Sequence, residues 1–168
     1  YEDIKKTERA WAANVVNELN NSDDKYVVYR ESRPITDIKN MLETSVELYG
    51  DNVAFMQKFA KDEPYTSITY KEALRDVNAL GTALISRGMK GKRIAVIGEN
   101  CYQWATGYLA VICGTGIVVP LDKELSANEL KQLVIEAEVS AVMFTEKYAD
   151  IFKEMKESGC LLYTSPSP

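Results

Sequence analysis

The stretch Lys92–Asp122, KRIAVIGENCYQWATGYLAVICGTGIVVPLD, restricts the fold more than any other part of the chain. Arg93–Ile97 is a short β-rich run that ends in Gly98. Tyr102–Cys113 is apolar on nearly every face, with Trp104, Tyr108, Leu109, Val111 and Ile112. Gly114 and Gly116 break that run, and Ile117–Pro120 is a second β-branched segment. Two short apolar strands joined by a helix make a βαβ crossover, which needs a parallel sheet covered on both faces. A helix apolar all round is expected to be buried. The remaining residues must therefore cover this unit or extend its sheet.

The flanking segments supply such elements. Glu2–Asn20 predicts a helix, with Ile4, Trp11, Val15, Val16 and Leu19 on one stripe, and Tyr26–Tyr29 a brief β piece. Thr36–Tyr49 predicts a second helix with Ile38, Met41, Leu42, Val46 and Tyr49 inward, and Gly50 placed as a C′ glycine. Val53–Phe59 and Tyr65–Ile68 read as a hairpin around a polar turn that includes Lys61. Thr69–Glu72 and Ser126–Glu129 are capping boxes. The first opens a helix with Leu74, Val77, Leu80, Leu84 and Ile85 on one face, ended by Gly88. The second opens a helix with Leu130, Leu133, Val134 and Ala137 inward. Ala141–Phe144 predicts a strand and Lys147–Ser158 a last helix, with Tyr148, Ile151, Phe152 and Met155 inward and Gly159 at its end. Helix and strand alternate from Tyr70 onward, which specifies a layered α/β domain with right-handed crossovers.

Composition narrows the function. The 168-residue chain carries a net charge of −5, which argues against a nucleic-acid partner held through phosphates. Its longest apolar run, near Leu109–Val119, falls short of the ~20 residues of a membrane helix. The chain has no histidine, so the usual general base and commonest metal ligand are missing. Cys101, Cys113 and Cys160 show no paired or metal-ligand spacing, which points to a reducing, cytoplasmic compartment, with Cys113 as a small buried hydrophobe. The chain starts at Tyr1 with no signal-peptide pattern, and its start reads as a truncation.

Candidate chemistry is sparse. Gly98-Glu99-Asn100 lies between strand and helix, where main-chain amides meet phosphates, but the dinucleotide fingerprint needs three spaced glycines. Gly114-Thr115-Gly116 lacks the following Gly-Lys-Ser/Thr of a phosphate loop. Both are read as turn glycines in preference to ligand glycines. Glu99 has no titratable partner nearby in sequence and is read as a helix-start carboxylate in preference to a general base. Asp122 sits past a strand's carboxyl end and is read as a loop acceptor in preference to a ligand. Tyr102, Trp104 and Tyr108 are expected in the core and not on a stacking platform. Lys90, Lys92 and Arg93 are read as a solvated turn in preference to a phosphate site. No catalytic, cofactor or metal residue is assigned.

The tail differs from the rest. Cys160–Pro168 back-translates to TGT CTC TTA TAC ACA TCT CCG AGC CCA, which matches a common transposon-based sequencing adapter in one frame. Native coding sequence is expected to stop at about Gly159. The expected organisation is a helical lead over 1–34, a truncated subdomain over 35–159, and non-native residues over 160–168.

Taken in order, these motifs resemble the adenylate-forming superfamily of AMP-forming acyl-CoA synthetases. Ile68–Leu74 (ITYKEAL) resembles its first core motif, usually Leu-Thr/Ser-Tyr-x-Glu-Leu. Gly88–Val96 fits Gly-x-x-x-Gly-x-Arg-Ile/Val-Ala-Val, followed by Glu99-Asn100 and the aromatic Trp104. Tyr108–Pro120 resembles the segment leading to Val-Pro-Leu/Ile-Asp. The resemblance spans roughly 38–152. Val119–Leu125 and the long lead are most similar to bacterial long-chain fatty-acid–CoA ligases, although aryl-CoA ligases and peptide-synthetase adenylation domains share much of the pattern. The resemblance implies a layered fold with a mostly parallel sheet, here incomplete, with an N-terminal helix and a hairpin. It implies a ligase that uses ATP and Mg²⁺ to make an acyl-adenylate from a fatty acid and passes the acyl group to coenzyme A. The Ser/Thr/Gly-rich phosphate loop with its lysine, the adenine segment, the ribose-binding aspartate, the hinge and the catalytic lysine of that family are absent from the chain. Tyr163-Thr164-Ser165 copies the loop's start, but Pro166 stands where glycine is required. The fragment is therefore expected to be silent by itself, with ATP, Mg²⁺ and CoA serving only the full-length parent. Long acyl substrates bring peripheral membrane contact into view, although no basic amphipathic helix supports it. The rival expectations are a free-standing α/β binding module and a fragment of an aryl- or amino-acid-adenylating enzyme.

Overall fold

A computed structural model describes residues 33–60, 62–157 and 159, and the main chain of 163–166. The helix expected over Glu2–Asn20 and the β piece at Tyr26–Tyr29 lie outside the described residues. All that follows concerns the unit Ile35–Pro168.

Helix α1 (Ile38–Tyr49) starts at Asp37, whose side chain accepts from the Asn40 amide at 2.7 Å. It buries Leu42, whereas Ile38 and Tyr49, expected inward, are exposed. Gly50 has φ −50°, so it is not the left-handed C′ glycine the sequence predicts. Strands β1 (Val53–Gln57) and β2 (Thr66–Thr69) form the expected antiparallel hairpin, a two-stranded sheet of its own. Helix α2 (Tyr70–Ser86) begins on the Thr69–Glu72 capping box, with both reciprocal hydrogen bonds formed. It buries Ala73, Val77 and Gly81 and leaves Ile85, expected inward, exposed. Gly88, at φ +78°, ends it in a left-handed turn where the Met89 amide reaches back to the Leu84 carbonyl.

The parallel sheet follows. Its strands are β3 (Arg93–Ile97), β4 (Ile117–Pro120), β5 (Ala141–Phe144) and β6 (Tyr163–Pro166), in the spatial order β4-β3-β5-β6. Every pairing is parallel. Helix α3 (Tyr102–Ala110) crosses from β3 to β4 and widens through a π turn at Val111–Thr115, where the Gly116 amide donates to the Val111 carbonyl at 3.0 Å. Helix α4 (Ala127–Glu136) opens on the second capping box, Ser126–Glu129, and crosses from β4 to β5. A 3₁₀ turn (Glu146–Tyr148) and helix α5 (Ala149–Glu157) complete the layer.

Alternation along β3 divides the core. Ala95 and Ile97 face Leu130, Val134, Phe144, Tyr148, Phe152 and Met155, under α4 and α5. Ile94 faces the other way, toward Met89 and Val111, and α1, α2 and α3 meet beyond it through Leu42, Val77 and Ala110. Leu133, expected inward on α4, is exposed because it lies off the Leu130–Val134 stripe. Among the described residues, no helix is long and apolar enough to cross a membrane.

Strand β6 is made by residues of the tail that back-translates to adapter sequence. It pairs from Ala141↔Tyr163 to Phe144↔Pro166 along the free edge of β5. An open parallel edge accepts any extended main chain, so this pairing needs no particular sequence.

Candidate functional site at the carboxyl end of the sheet

Strand β3 leads into α3 on one face of the sheet, while β4 and β5 lead into helices on the other. That reversal beside β3 is a topological switch point, where open α/β sheets leave a crevice for ligands. Gly98-Glu99-Asn100 and Thr145 border it.

The loops approach closely there. A Cβ on Gly98 would lie 2.6 Å from Thr145 Cγ2, so Gly98 allows close passage of two loops. Thr145 donates its hydroxyl to Glu99 Oε2 at 3.0 Å, and Lys147 Nζ lies 3.7 Å from Glu99 Oε1. The Thr145 hydrogen bond, aided by Lys147, holds the Glu99 carboxyl below the usual carboxylate range. In this structure the Glu99 carboxylate acts as an acceptor for Thr145 and a charge partner for Lys147. Lys147 was missed because it comes from beyond another strand, and no local spacing marks it.

The other candidates separate. Asp122 Oδ1 accepts from the Glu124 amide at 2.9 Å, as a loop acceptor should. The Lys90 ammonium donates to the Gly114 carbonyl, and Arg93 pairs with Glu138, both at the amino end of the strands and away from Glu99. Gly114, at φ +131°, breaks the α3 extension as expected. Cys101 and Cys113 are free thiols, and burial pushes the Cys113 thiol up.

The aromatic residues correct an expectation. Tyr102, Trp104 and Tyr108 are half-buried, not core. The buried side of α3 is small, made by Thr106, Gly107 and Ala110, because Gly107 must pass Met143 and Val96 closely. Trp104 and Tyr108 stack instead on the outer side, with ring centroids 5.5 Å apart. At its start α3 has no side-chain cap of its own, since Cys101 supplies none. Gln57, from the hairpin, accepts from the Tyr102 amide through Oε1 and donates from Nε2 to Gln103 at 3.0 Å. Phe55 sets its ring edge against Tyr102 at 5.2 Å. Tyr102 donates its hydroxyl to Asp76 at 2.8 Å, and Asp76 pairs with Arg75. Burial, then this hydrogen bond, raises the Tyr102 phenol to about 12.

Among the described residues, no group of three or more His, Cys, Asp or Glu side chains could hold a metal ion. Among the described residues, the side chains at the switch-point crevice offer one carboxylate, one amide, one hydroxyl and one ammonium, which does not amount to a triphosphate cradle.

The family model for AMP-binding enzymes matches residues 42–165, about three quarters of the chain. Long chain acyl-CoA synthetase 1 of Arabidopsis thaliana is 34% identical over 112 residues, a match covering 64% of this chain and 17% of that protein. The long-chain-fatty-acid–CoA ligase FadD15 of Mycobacterium bovis is 27% identical over 124 residues, covering 64% of this chain and 20% of that protein. A crystal structure of the long-chain-fatty-acid-CoA ligase FadD1 from Archaeoglobus fulgidus superposes with a TM-score of 0.70 at 18% identity, covering 84% of this chain and 30% of that one. That likeness shows the same layered fold. The chain thus spans about a fifth of the curated relatives it matches, and it belongs to the AMP-binding enzyme family as an N-terminal part of the adenylate-forming fold.

Proposed function

We propose that this chain is the scaffold part of a ligase that activates a long-chain fatty acid with ATP and transfers it to coenzyme A. The observation that carries the reading is the family match over residues 42–165, joined to relatives named as long-chain acyl-CoA synthetases. In such a reaction ATP and Mg²⁺ supply a good leaving group on a poor electrophile and screen the phosphate charge. The described residues do not fit that role, and no step is assigned to them. Their contribution is structural: two capping boxes and a switch-point sheet that fix where later segments attach. We place the subdomain at 35–159 after a lead over 1–34, treat 160–168 as adapter-derived, and place the enzyme in the cytoplasm on the pattern of its cysteines.

The test is ATP–pyrophosphate exchange. The full-length parent should exchange with palmitate and not with benzoate or amino acids. The 168-residue chain should show none. Exchange with aryl or amino acids only would overturn the fatty-acid reading, and turnover by the isolated chain would overturn its silence. Sequencing the locus from intact DNA should replace 160–168 with a Ser/Thr/Gly-rich loop ending in lysine. Recovery of the same tail would overturn the adapter assignment.

A further inference from the structure

We propose that the β1–β2 hairpin latches the switch-point loop, with Gln57 as the positioning residue that fixes the Asn100–Cys101 end of Gly98–Cys101. The loop is held from two sides. At its first end Gly98 passes against Thr145, and Glu99 is bound by the Thr145 hydroxyl at 3.0 Å and by Lys147 at 3.7 Å. At its second end the holding group comes from the hairpin. Cys101 has the extended backbone of an N-cap, φ −144° and ψ 167°, yet its thiol makes no cap hydrogen bond. Gln57 supplies the acceptor instead, taking the Tyr102 amide through Oε1. Asn100 lies between the two ends, and its side-chain amide has no partner among the described residues.

The hairpin is shaped to aim Gln57. Alternation puts Phe55 and Gln57 of β1 on one half-buried face, toward α3, and exposes Met56. Phe55 sets its ring edge against Tyr102, and Gln57 Nε2 donates to Gln103 at 3.0 Å, which orients Oε1 toward the helix start. Tyr102 is tied in turn to Asp76 of α2. A two-stranded hairpin is marginal by itself, so these contacts hold the hairpin as much as they hold α3. A hairpin that moves away uncaps α3 and frees the Asn100 half of the loop, while Thr145 and Lys147 keep the Glu99 half. The inference goes beyond the ligase reading, because it concerns the order of this loop and needs neither ATP nor turnover.

Amide exchange and nitrogen-15 relaxation of the labelled chain, kept dilute, test the latch. The Ala105 amide donates to the Cys101 carbonyl at 3.2 Å, so its exchange reports opening of the first turn of α3. Gln57→Leu keeps the bulk and removes the acceptor. It should speed Ala105 exchange about fivefold, the equivalent of the ~1 kcal/mol of a helix cap. The order parameters of Asn100 and Cys101 should fall from about 0.85 toward about 0.6, with Glu99 changing least. Gln57→Glu retains an acceptor of the same length and should keep the original rate. Cys101→Ser gives α3 a cap of its own, so it should restore Ala105 in the Gln57→Leu background and gain more there than in the unsubstituted chain. Unchanged Ala105 exchange in Gln57→Leu, or equal gains from Cys101→Ser in both backgrounds, would overturn the latch. Faster Ala105 exchange with Asn100 and Cys101 as ordered as before would reduce Gln57 to a helix cap and overturn the coupling. Gln57→Asn withdraws the same amide by one methylene and gives a gentler variant with the same expected signs, should Gln57→Leu fail to fold. None of these readouts depends on activity of the parent, so the latch and the ligase reading fail independently.

Discussion

Gly116→Ala should be among the most damaging one-carbon changes in this chain, and for a reason that Gly88→Ala does not share. A Cβ on Gly116 would sit 2.2 Å from the Lys92 carbonyl oxygen and 3.2 Å from the Lys92 nitrogen. The obstruction is main chain, so no rotamer change relieves it. That same carbonyl accepts from the Ile117 amide at 2.9 Å, at the head of the β3–β4 ladder that starts with Arg93↔Ile117. Overpacking of this kind costs about 1–3 kcal/mol, and the strained ladder bond adds roughly 1 kcal/mol. The expected loss is about 2–4 kcal/mol out of a domain stability of roughly 5–15 kcal/mol. At Gly88 nothing lies within 4 Å, and the only demand is φ +78°, so alanine there costs about 1 kcal/mol. Urea unfolding followed by far-UV circular dichroism measures both. With a slope of roughly 1–3 kcal/mol per molar, Gly116→Ala should lower the midpoint by about 1–2 M. Asparagine tolerates the left-handed region, so Gly88→Asn should be milder than Gly88→Ala. Gly116→Asn should be at least as harmful as Gly116→Ala, because it adds bulk to a collision. The same rank order at both positions would refute the distinction between close approach and backbone conformation.

Other substitutions test other parts of the fold. Thr69→Ala and Ser126→Ala each remove a capping-box hydroxyl and should lower stability by about 1 kcal/mol, read as urea midpoints. Phe152→Ala empties the centre of the α4–α5 face, where Phe152 is fully buried and 5.1 Å from Phe144, and should cost about 3–5 kcal/mol. Tyr102 has its folded pKa raised from 10.0 to about 12, so its contribution is complete below pH 10 and is lost as pH rises toward 12. Stability measured from pH 9 to 12 should fall less steeply in Tyr102→Phe. The exposed apolar side chains of the hairpin, with β4 an edge strand among the described residues, should make the isolated chain self-associate with concentration, and a sharp monomer peak in size-exclusion chromatography at high concentration would count against this.

Local rules made much of this fold legible. The capping boxes are four-residue patterns whose hydrogen bonds run between positions three apart, so Thr69–Glu72 and Ser126–Glu129 could be placed without any tertiary knowledge. The βαβ unit was legible because β3 and β4 are short, β-branched and bounded by glycine. The aromatic residues of α3 were not. A helix apolar on all sides gives no stripe, and burial of every side was assumed, whereas Gly107 turns toward the sheet, Ala110 packs with α1 and α2, and Trp104 is left half-buried. The site contacts were hidden for a related reason. Gln57 caps a helix 45 positions away, and Thr145 meets Glu99 across 46, distances at which sequence spacing carries no periodic signal.

The last strand allows a final prediction that bears on where native sequence ends. Strand β6 aligns four residues with β5. Main-chain hydrogen bonds contribute about 0.5–1.5 kcal/mol each, while fixing a residue's backbone costs roughly 1–2 kcal/mol. Four paired residues held by main chain alone therefore come out near zero or slightly unfavourable, and only side chains shaped to the sheet face can make such an edge strongly stabilising. If residues 160–168 are adapter-derived, no such fit was selected. Deleting them should then shift the melting temperature by less than about 4 °C, equivalent to roughly 1 kcal/mol for a unit of this size. The assay is a thermal melt of the two chain lengths at equal, low concentration. A loss above about 2 kcal/mol on deletion would show side chains fitted to their place and would overturn the adapter assignment. A small shift together with retained structure would mean that β5 is the edge at which the parent's own next strand must add.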